Sequence, residues 1–392
     1  MYDPWFKTTM RHSALGQQLK MQIPHDVFST QRIDEGTLLL LENLPAREPA
    51  TILDMGCGYG ALGLPIAARF KNARLELVDR DLLAAKWSGE NARANGLSNV
   101  DAYGSLGYRD LKSSGAAYDW ILCNVPARIG RPFIESLLGA GRLRLTPEGD
   151  LRVVVINDLV PMLLELKVQH SWPLVEVARG PRHSIFSLTA APGTREEFPE
   201  SKDLYLRDRV EVGGLALDRP FDLGGDDPKR LAHGLPALLD SLPKQFTGKV
   251  LCFRSGYGQL PLVSRGRWPN ANVVAVDRDL LGTTYVRRNA ERLGLSGERL
   301  DVREAPSFPE AIQDGERFDL ILGEFSSSTG EKVVEHELKT IAKSLTHGGQ
   351  ALLLCLEKLN KESVKPAAAR SKVAVFPLLM REGYVVLSIR GI

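Results

Sequence analysis

Short apolar runs alternate with longer helical patterns along the first half of the chain. Four of these runs are rich in aliphatic and β-branched residues: ATILDMG (50–56), ARLELVD (73–79), YDWILCN (118–124) and DLRVVVIN (150–157). Such continuous apolar runs predict buried parallel strands, and a stretch such as PFIESLLGAGRLRL (132–145) predicts a helix that crosses between two strands. The pattern therefore predicts an α/β fold, with a parallel sheet covered by helices on both faces.

The last two apolar runs of this half form a different pattern. WPLVEVAR (172–179) and HSIFSLTA (183–190) are separated only by the tripeptide GPR. Such a short connection cannot cross over a sheet, so these two strands must be antiparallel. The parallel sheet is thus expected to finish in an antiparallel hairpin.

The second half of the chain repeats the first. Residues 52–97 align without a gap with residues 250–295, and 19 of the 46 positions are identical. The match continues further along, where YDWILCN (118–124) faces FDLILGE (318–324). The period is far longer than that of a solenoid repeat, so the sequence predicts the duplication of a whole domain.

A linker is predicted between the two copies. Residues 191–208 (APGTREEFPESKDLYLRD) are rich in proline, glycine and alternating charge. We therefore predict one domain over residues 1–190 and a second over residues 209–392, both of ordinary domain size.

Composition argues against a metal-binding, disulfide-rich or membrane protein and does not decide whether the protein binds nucleic acid. The 50 basic and 48 acidic residues nearly cancel, so the net charge gives no indication of nucleic-acid binding, although a local basic patch could still bind nucleic acid. The four cysteines form no C-x-x-C pair and the seven histidines show no ligand spacing, so we expect reduced thiols and no metal. The sequence shows no signal-peptide pattern and no run of eighteen apolar residues, so we expect a cytoplasmic protein without a membrane segment.

The stretch LDMGCGYGALG (53–63) fits two cofactor-binding patterns. Gly58, Gly60 and Gly63 spell G-x-G-x-x-G, and Asp79 follows about twenty residues later, as in a dinucleotide-binding unit. The same loop also reads as D-x-G-x-G-x-G, the form with which many methyltransferases hold S-adenosylmethionine.

Three features favour the second pattern. Asp54 stands two residues before Gly56, where a carboxylate attracts an ammonium group and repels a pyrophosphate. The loop begins only after some fifty residues that include a predicted helix, DEGTLLLLENL (34–44), rather than at a domain start. An Asn-x-Pro tripeptide (124–126) also follows the fourth strand, and this tripeptide is not a characteristic motif of nucleotide oxidoreductases. The loop therefore predicts S-adenosylmethionine as the cofactor.

On these residues the first copy resembles the class I S-adenosylmethionine-dependent methyltransferases, and more narrowly the ribosomal RNA guanine-N2 methyltransferases. The segment VFSTQRIDEGTLLLLENLP (27–45) resembles the Phe-Ser-x-x-x-x-Asp-x-Gly lead-in of that family, and the resemblance extends over roughly residues 25–190. It implies two tandem Rossmann-like methyltransferase domains, one active and one degenerate. Each would hold a mainly parallel seven-stranded sheet with a terminal antiparallel hairpin.

The resemblance also implies roles for individual residues. Asp54 would bind the methionyl ammonium group and Asp79 the ribose. The side-chain carbonyl of Asn124 and the backbone carbonyl of Val125 would each accept one N–H of an exocyclic amine and hold it for attack. The other expected site residues are the loop glycines Gly56, Gly58 and Gly60; Arg80 beside the ribose; Gly104 and Ser105 at the adenine edge, with Asn124 also near the cofactor; Pro126 in the catalytic tripeptide; and Arg128 and Arg131 flanking the acceptor pocket.

The sequence departs from the family at the acceptor site. The family tetrapeptide is Asn-Pro-Pro followed by Phe or Tyr, whereas this chain has NVPA (124–127). The missing ring would stack on an extruded base, a contact worth roughly 1–3 kcal/mol per base. Tyr2, Trp5, Phe6 and Tyr108 are candidate replacements, with ordinary packing as the favoured alternative.

A second departure is the order of the copies, because the family's active domain is the second and here the first is better equipped. Cys252 stands at the position of Asp54, Arg254 stands at that of Gly56, and EFS (324–326) replaces the Asn-x-Pro tripeptide. We expect the second copy not to bind the cofactor and to serve as a structural partner or a substrate platform.

The sequence therefore predicts a methyltransferase with a catalytic first half that acts on RNA, with a guanine N2 amine of ribosomal RNA as the expected acceptor. The basic segments 127–131, 178–183 and 357–372 are candidate phosphate contacts, with a solvated face as the alternative. Two other functions stay open, because one fold hosts many acceptors. The acceptor can be a small molecule or a protein side chain, or the chain can be a non-catalytic module that binds S-adenosylmethionine or RNA. The sequence does not define an oligomeric state.

Overall fold

A computed structural model describes residues 3–27, 31–113, 117–191, 198, 203–221, 223, 228–326 and 328–391. The chain divides into two compact units, which we call the first unit (residues 8–206) and the second unit (residues 1–7 with 207–392). The predicted domain boundaries at 190 and 209 stay a prediction. Phe28 and Ser29 of the lead-in, and most of the predicted linker, lie outside the described residues.

The strands from residue 6 to residue 189 are β1 (Phe6–Ala14), β2 (Gln17–Pro24), β3 (Thr51–Met55), β4 (Arg74–Asp79), β5 (Val100–Gly104), β6 (Tyr118–Asn124), β7 (Leu145–Ile156), β8 (Val175–Arg179) and β9 (His183–Thr189). The helices in this range are α1 (Glu35–Glu42), α2 (Gly63–Arg69), α3 (Leu82–Ala94), α4 (Arg131–Arg142) and α5 (Val160–His170), with a 3₁₀ turn at Asn157–Leu159.

Seven of these strands form one sheet in the order β5-β4-β3-β6-β7-β9-β8. The first five are parallel, and β9 and β8 are antiparallel to their neighbours. The four predicted strands, the terminal hairpin and the crossover helix α4 are thereby confirmed. The strands β1 and β2 form a separate two-stranded sheet that the sequence analysis did not predict. Their side chains are mostly exposed or half-buried, so they lack the continuous apolar run that marks a strand of the main sheet.

The order of the strands places a crevice beside the glycine loop. β3 lies in the middle of the sheet, with β4 on one side and β6 on the other, so the chain changes direction across the sheet at this strand. The apolar centres of β3, β6 and β7 are fully buried, as Leu53, Leu122 and Val154 show. Ligands of open α/β sheets bind outside the carboxyl ends of the strands at this kind of switch point.

The strands from residue 206 to residue 390 are β10 (Leu206–Val212), β11 (Leu215–Pro220), β12 (Lys249–Phe253), β13 (Asn272–Asp277), β14 (Leu300–Glu304), β15 (Phe318–Glu324), β16 (Leu345–Leu356), β17 (Phe376–Arg381) and β18 (Tyr384–Arg390). The helices are α6 (Leu235–Asp240), α7 (Gln259–Arg267), α8 (Leu280–Arg292), α9 (Phe308–Ala311), α10 (Glu331–Ser344), α11 (Glu357–Leu359) and α12 (Lys365–Ser371), with π-helical turns at Arg230–Gly234 and Asn360–Val364.

The second unit repeats the topology of the first. Its main sheet has the order β14-β13-β12-β15-β16-β18-β17, again with a terminal antiparallel hairpin. One apolar cluster, with Phe253, Phe318 and Leu338 among its members, fills one side of this sheet. The predicted tandem Rossmann-like architecture is confirmed. The basic segment 357–372 is mostly helical, as the bounds of α11, the π-helical turn and α12 show.

Candidate active site

The predicted site residues meet at one edge of the first unit's sheet. Asp79, Gly104 and Asn124 are the last residues of β4, β5 and β6, and Asp54 is the last but one of β3. Because these strands are parallel, their carboxyl ends lie at the same edge. The fold thus brings together residues that are up to seventy positions apart along the chain.

The glycine loop connects β3 to α2 and is anchored by its own backbone. The N–H groups of Gly56 and Cys57 donate to the carbonyl of Val78 at 2.8 and 3.0 Å, and the Gly58 N–H donates to Asp79 Oδ2 at 2.9 Å. Gly56 and Gly58 have positive φ angles of 77° and 58°, and a Cβ atom on either would meet nothing within 4 Å. The backbone is therefore open to a ligand at these two glycines.

Gly60 has a different role in the same loop. Its φ is 96°, and a Cβ atom there would stand 2.6 Å from Leu64 Cδ1 and 3.2 Å from Ser88 Oγ. Leu64 is fully buried in α2. Gly60 is thus required for the packing of the loop against the helices behind it.

Asp54 is a buried carboxyl group with an incomplete set of partners. Its side chain is 1% exposed, and its Oδ2 accepts no hydrogen bond from the residues that the structure describes. The pKa of Asp54 is raised to about 7. Burial is the main cause and the nearby charge of Asp79 adds to it, while a hydrogen bond from the Gly63 N–H acts in the opposite direction. A ligand ammonium group would supply the missing partner, so the residues present fit the predicted cofactor. The contact itself stays a prediction.

Asp79 holds the loop and the next helix together. Its Oδ2 accepts from Gly58 and its Oδ1 accepts from the N–H of Asp81, the N-cap of α3, at 2.9 Å. Asp277, the equivalent acid of the second unit, accepts from Gly256 and Asp279 in the same way. These backbone bonds are therefore a property of the fold in both copies. A carboxylate has further lone pairs, and ribose binding by Asp79, with Arg80 next to it, stays a prediction.

Ser105 follows β5, where the adenine edge was predicted. Its hydroxyl is buried, donates to the Gly107 carbonyl at 2.8 Å and accepts from the Asp110 N–H at 3.2 Å. Its N–H donates to the Asp79 carbonyl at 3.0 Å. The hydroxyl is thus engaged in its own turn, and the predicted role of Gly104 and Ser105 would rest on backbone and shape rather than on this hydroxyl.

Asn124 has a fixed orientation. Its Nδ2 donates to Asp34 Oδ2 at 2.8 Å and to Thr37 Oγ1 at 3.1 Å. A carboxylate only accepts hydrogen bonds, so the atom that faces Asp34 must be the amide nitrogen rather than the oxygen. The carbonyl oxygen of Asn124 accepts no hydrogen bond from the described residues and is the atom left for a ligand. Asp34 belongs to the lead-in motif, but no pattern in the sequence indicated its contact with Asn124.

The rest of the tetrapeptide begins with a buried residue and ends in an exposed turn. The Val125 N–H donates to the Val154 carbonyl at 3.0 Å and its side chain is buried, which fixes the backbone that would hold an acceptor. Pro126, Ala127 and Arg128 are exposed.

The two predicted substrate arginines differ in their surroundings. Arg128 forms no ion pair with the described residues. Arg131 donates to Glu165 at 2.5 Å and to Gln169 at 3.0 Å, both on α5. An exposed ion pair of this kind contributes little and can exchange for a phosphate. The substrate role of both residues stays a prediction.

Two of the candidate rings are buried, in agreement with the favoured alternative of ordinary packing. Trp5 is buried in the second unit, with its ring edge-on to His336 at 5.6 Å. Tyr108 is buried, and its hydroxyl donates to the Leu137 carbonyl at 2.9 Å. Phe6 is half-buried at the start of β1, and Tyr2 lies outside the described residues.

A ring that the sequence analysis did not single out lies beside Asn124. The His183 ring, at the start of β9, lies 3.1 Å from the point where a Gly36 Cβ atom would stand, and Asn124 Nδ2 lies 3.4 Å from the same point. His183 is half-buried. The sequence feature that could have pointed to His183 is its position in the basic segment 178–183. The two flanking arginines of that segment are ion-paired, Arg179 with Glu176 and Arg182 with Glu35.

The equivalent edge of the second unit is filled by charged side chains. Arg254 adopts a φ of 51°, donates to the Glu324 carbonyl at 2.8 Å and forms an ion pair with Glu337 at 3.1 Å. Glu324, at the position of Asn124, forms an ion pair with Arg230 at 2.7 Å. Cys252, at the position of Asp54, is a free buried thiol. The second unit therefore lacks the open glycine loop and the acceptor amide of the first.

In the part of the chain that the structure describes, no group of three or more histidine, cysteine, aspartate or glutamate side chains is arranged to hold a metal ion. Likewise, the helices of the described residues are all too short or too polar to cross a lipid bilayer.

Comparison with known proteins places the chain in a family. The family model for the methyltransferase small domain matches residues 18–172 and 228–387. The uncharacterized protein YbxB of Bacillus subtilis is 34% identical over 130 residues, which are 33% of this chain and 64% of that protein. The ribosomal RNA small subunit methyltransferase C of Hahella chejuensis is 38% identical over 140 residues, which are 34% of this chain and 39% of that protein. The chain thus spans less than two thirds of the length of either relative.

One solved structure matches both units together. The 16S rRNA N2 G1207 methyltransferase of T. thermophilus, solved with AdoMet and guanosine, aligns over 99% of both chains with a TM-score of 0.69 and 19% identity. At this identity the likeness shows a shared two-domain fold. The family match covers most of the chain and both of its units, and the chain therefore belongs to the methyltransferase small domain family.

Proposed function

We propose that this protein is an S-adenosylmethionine-dependent methyltransferase that methylates the exocyclic N2 amine of a guanine in ribosomal RNA, with its catalytic site in the first unit. The arrangement of Asn124 carries the proposal. Its amide hydrogens are taken by Asp34 and Thr37, and its carbonyl oxygen is left at the same sheet edge as the open glycine loop.

The residues around the loop suit the proposed cofactor. S-adenosylmethionine, when bound, supplies a methyl group activated by its sulfonium centre. Gly56 and Gly58 let a ligand reach the backbone, Asp54 offers a carboxylate to the ammonium group, and the Asp79 carboxylate at the end of β4 would bind the ribose. The residues proposed to complete the cofactor site are Gly60, Arg80, Gly104, Ser105 and Asn124.

The acceptor amine would be held by two carbonyl groups. Its lone pair is delocalised into the base, so it is a weak nucleophile until the nitrogen becomes pyramidal. Asn124 Oδ1 and the Val125 carbonyl would each accept one of its N–H bonds, and Pro126 would stiffen the turn. These hydrogen bonds strengthen as positive charge develops on the nitrogen, so they favour the transition state over the bound substrate.

Ribosomal RNA is the acceptor favoured by the relatives. The Hahella protein is named a ribosomal RNA methyltransferase, and the T. thermophilus protein was solved with guanosine. The exposed side chain of Arg128, next to the acceptor turn, suits a phosphate of such a substrate. Four buried free cysteines are compatible with a reducing compartment, and we propose a cytoplasmic location.

One observation favours a second acceptor class. Ala127 is exposed and carries no ring where the family places an aromatic side chain. A small molecule or a protein side chain that needs no stacking platform would suit such a turn, with the same amide and carbonyl groups holding its amine.

The deciding experiment is methyl transfer from labelled S-adenosylmethionine to unmodified ribosomal RNA, offered as free transcripts and as assembled subunits. Nucleoside analysis of the product should give N2-methylguanosine, and Asn124→Ala should lower the single-turnover rate at saturating cofactor at least a hundredfold. A cell extract treated with ribonuclease is the matched acceptor control. If label enters the ribonuclease-treated extract and not the ribosomal RNA, the acceptor belongs to the second class. If label enters neither the RNA nor the extract, the result contradicts the proposed activity.

A further inference from the structure

We infer that Asp34 is a positioning residue for methyl transfer: it orients the Asn124 amide so that its carbonyl oxygen faces the acceptor amine. This inference rests on the proposed function, because it assigns a role in that reaction. Asp34 does not touch the reacting atoms and acts only through Asn124.

Asp34 is first of all the N-cap of α1. Its Oδ2 accepts from the N–H groups of Gly36 and Thr37 at 2.9 and 3.3 Å. A cap of this kind is a common local feature and needs no partner elsewhere in the chain. The cap therefore explains two of the contacts of Asp34 and leaves a third to be explained.

The third contact comes from 90 positions away and is the shortest. The same Oδ2 accepts from Asn124 Nδ2 at 2.8 Å. Gly36 makes the approach possible, because a Cβ atom there would stand 2.9 Å from Asp34 Oδ2 and 3.4 Å from Asn124 Nδ2. The Asp-x-Gly spacing thus serves both the helix cap and the close packing of α1 against the end of β6.

The contact fixes which end of the amide meets the acceptor. The two possible orientations of the Asn124 amide would otherwise differ little in shape, since the oxygen and nitrogen of an amide are nearly the same size. With both Nδ2 hydrogens held by Asp34 and Thr37, a rotated amide would place its oxygen against the Asp34 carboxylate. That repulsion excludes the orientation in which Asn124 would present N–H groups to an amine.

The carboxylate also strengthens the carbonyl as an acceptor. Hydrogen bonds in a chain polarise one another, so a charged acceptor behind the N–H groups increases the negative charge on the oxygen in front. The gain is largest when the amine nitrogen becomes positive, which is during methyl transfer. Loss of Asp34 is therefore expected to lower kcat and to leave the KM for S-adenosylmethionine nearly unchanged.

Serine at position 34 separates the two roles of Asp34. Asp34→Ser keeps a good N-cap but is too short to reach Asn124, whereas Asp34→Asn keeps an acceptor oxygen at full length. We expect Asp34→Ser to lower kcat ten- to a hundredfold with unchanged cofactor affinity by titration calorimetry, and Asp34→Asn, which keeps an acceptor oxygen without the charge, to recover part of the rate. Thr37→Val, which removes the second acceptor at nearly constant size, should lower kcat about three- to tenfold and serves if Asp34→Ser does not fold.

The decisive comparison uses Asn124→Ala as the background, with single-turnover rates measured on RNA. Asp34→Ser and Thr37→Val should cause no further loss there, since both act through the amide that is already gone. Rates that multiply in the double variants, or an Asp34→Ser enzyme as fast as the wild type, would overturn the inference. A wild-type protein that methylates no acceptor would instead overturn the proposed function, and the positioning role with it.

Discussion

Arg254 and Glu337 form a largely buried ion pair at the place where the first unit has an open loop and a buried leucine side chain. Arg254 aligns with Gly56, and Glu337 aligns with Leu137 of α4. The Glu337 side chain is 2% exposed, and Arg254 also holds the Glu324 carbonyl. A guanidinium group that makes internal contacts thus stands where the first unit exposes loop backbone, which is the physical reason for proposing the cofactor site in the first unit alone.

Removal of this guanidinium should destabilise the protein. Arg254→Gly relieves a positive φ but takes away the charge that neutralises Glu337, so we expect a loss of about 3–5 kcal/mol in the free energy of unfolding. The double variant Arg254→Gly with Glu337→Leu, which restores the residues of the first unit, should recover most of that loss. Urea unfolding of the three proteins measures both effects. Equal destabilisation of the single and the double variant would mean that the ion pair is not the reason for the loss.

One molecule of S-adenosylmethionine should bind per chain. Calorimetric titration should give a stoichiometry near one, lost in Asp54→Asn and retained in Asp277→Asn, which is the matched acid of the second unit. NADH serves as the control ligand, because the same loop also fits a dinucleotide pattern. Binding of NADH, or a site that depends on Asp277 instead, would contradict the assignment of the glycine loop.

Stability should fall with rising pH through the titration of Asp54. The folded pKa is about 7 and the ordinary value is 3.8, so between these values the folded state holds a proton that the unfolded state has released. The free energy of unfolding therefore decreases by about 1.4 kcal/mol for each pH unit in that window, and the effect is complete above pH 7. Unfolding curves at several pH values, with Asp54→Asn as the control, should show a smaller decrease in the variant.

The same titration should couple to cofactor binding. An ammonium group favours the charged carboxylate, so binding lowers the pKa of Asp54 and releases a proton when the pH is below 7. Calorimetry at pH 6 in two buffers of different ionisation enthalpy should detect this release in the wild type. Binding without proton release at that pH would argue against a contact between Asp54 and the ammonium group.

Two glycines of the loop should respond differently to alanine. In Gly58→Ala the new methyl group has no neighbour within 4 Å, so the stability cost is that of the positive φ, about 1–2 kcal/mol. The methyl group would, however, cover the backbone that the cofactor would approach. Gly60→Ala collides with Leu64 and should cost about 2–4 kcal/mol. We expect Gly58→Ala to remain folded with at least tenfold weaker cofactor binding, and Gly60→Ala to show a clear loss of thermal stability. Unchanged binding in Gly58→Ala would exclude this part of the loop as the cofactor cradle.

The local sequence was sufficient for the strands, the terminal hairpin and the duplication. Continuous apolar runs such as that around Leu53 must be buried in any compact fold, and a three-residue connection before His183 leaves no other strand direction. It was not sufficient for β1 and β2. The side chains of β1 are mostly exposed, and β2 alternates the buried Leu19, Met21 and Ile23 with polar residues instead of forming a continuous apolar run. Two hydrogen bonds between the Asn91 side chain and the backbone of Gln22 also attach β2 to α3.

By itself, then, the sequence determined the fold and its repetition, and it indicated the half in which the catalytic site is proposed, because apolar periodicity and loop glycines are local features of the chain. Only the tertiary structure decided which distant side chains meet. It packs Trp5 into the second unit, and it directs the amide of Asn124 by placing Asp34 behind it. Hydrogen-bond direction depends on distances of a few tenths of an ångström between separate elements, and these are set by packing rather than by any local pattern.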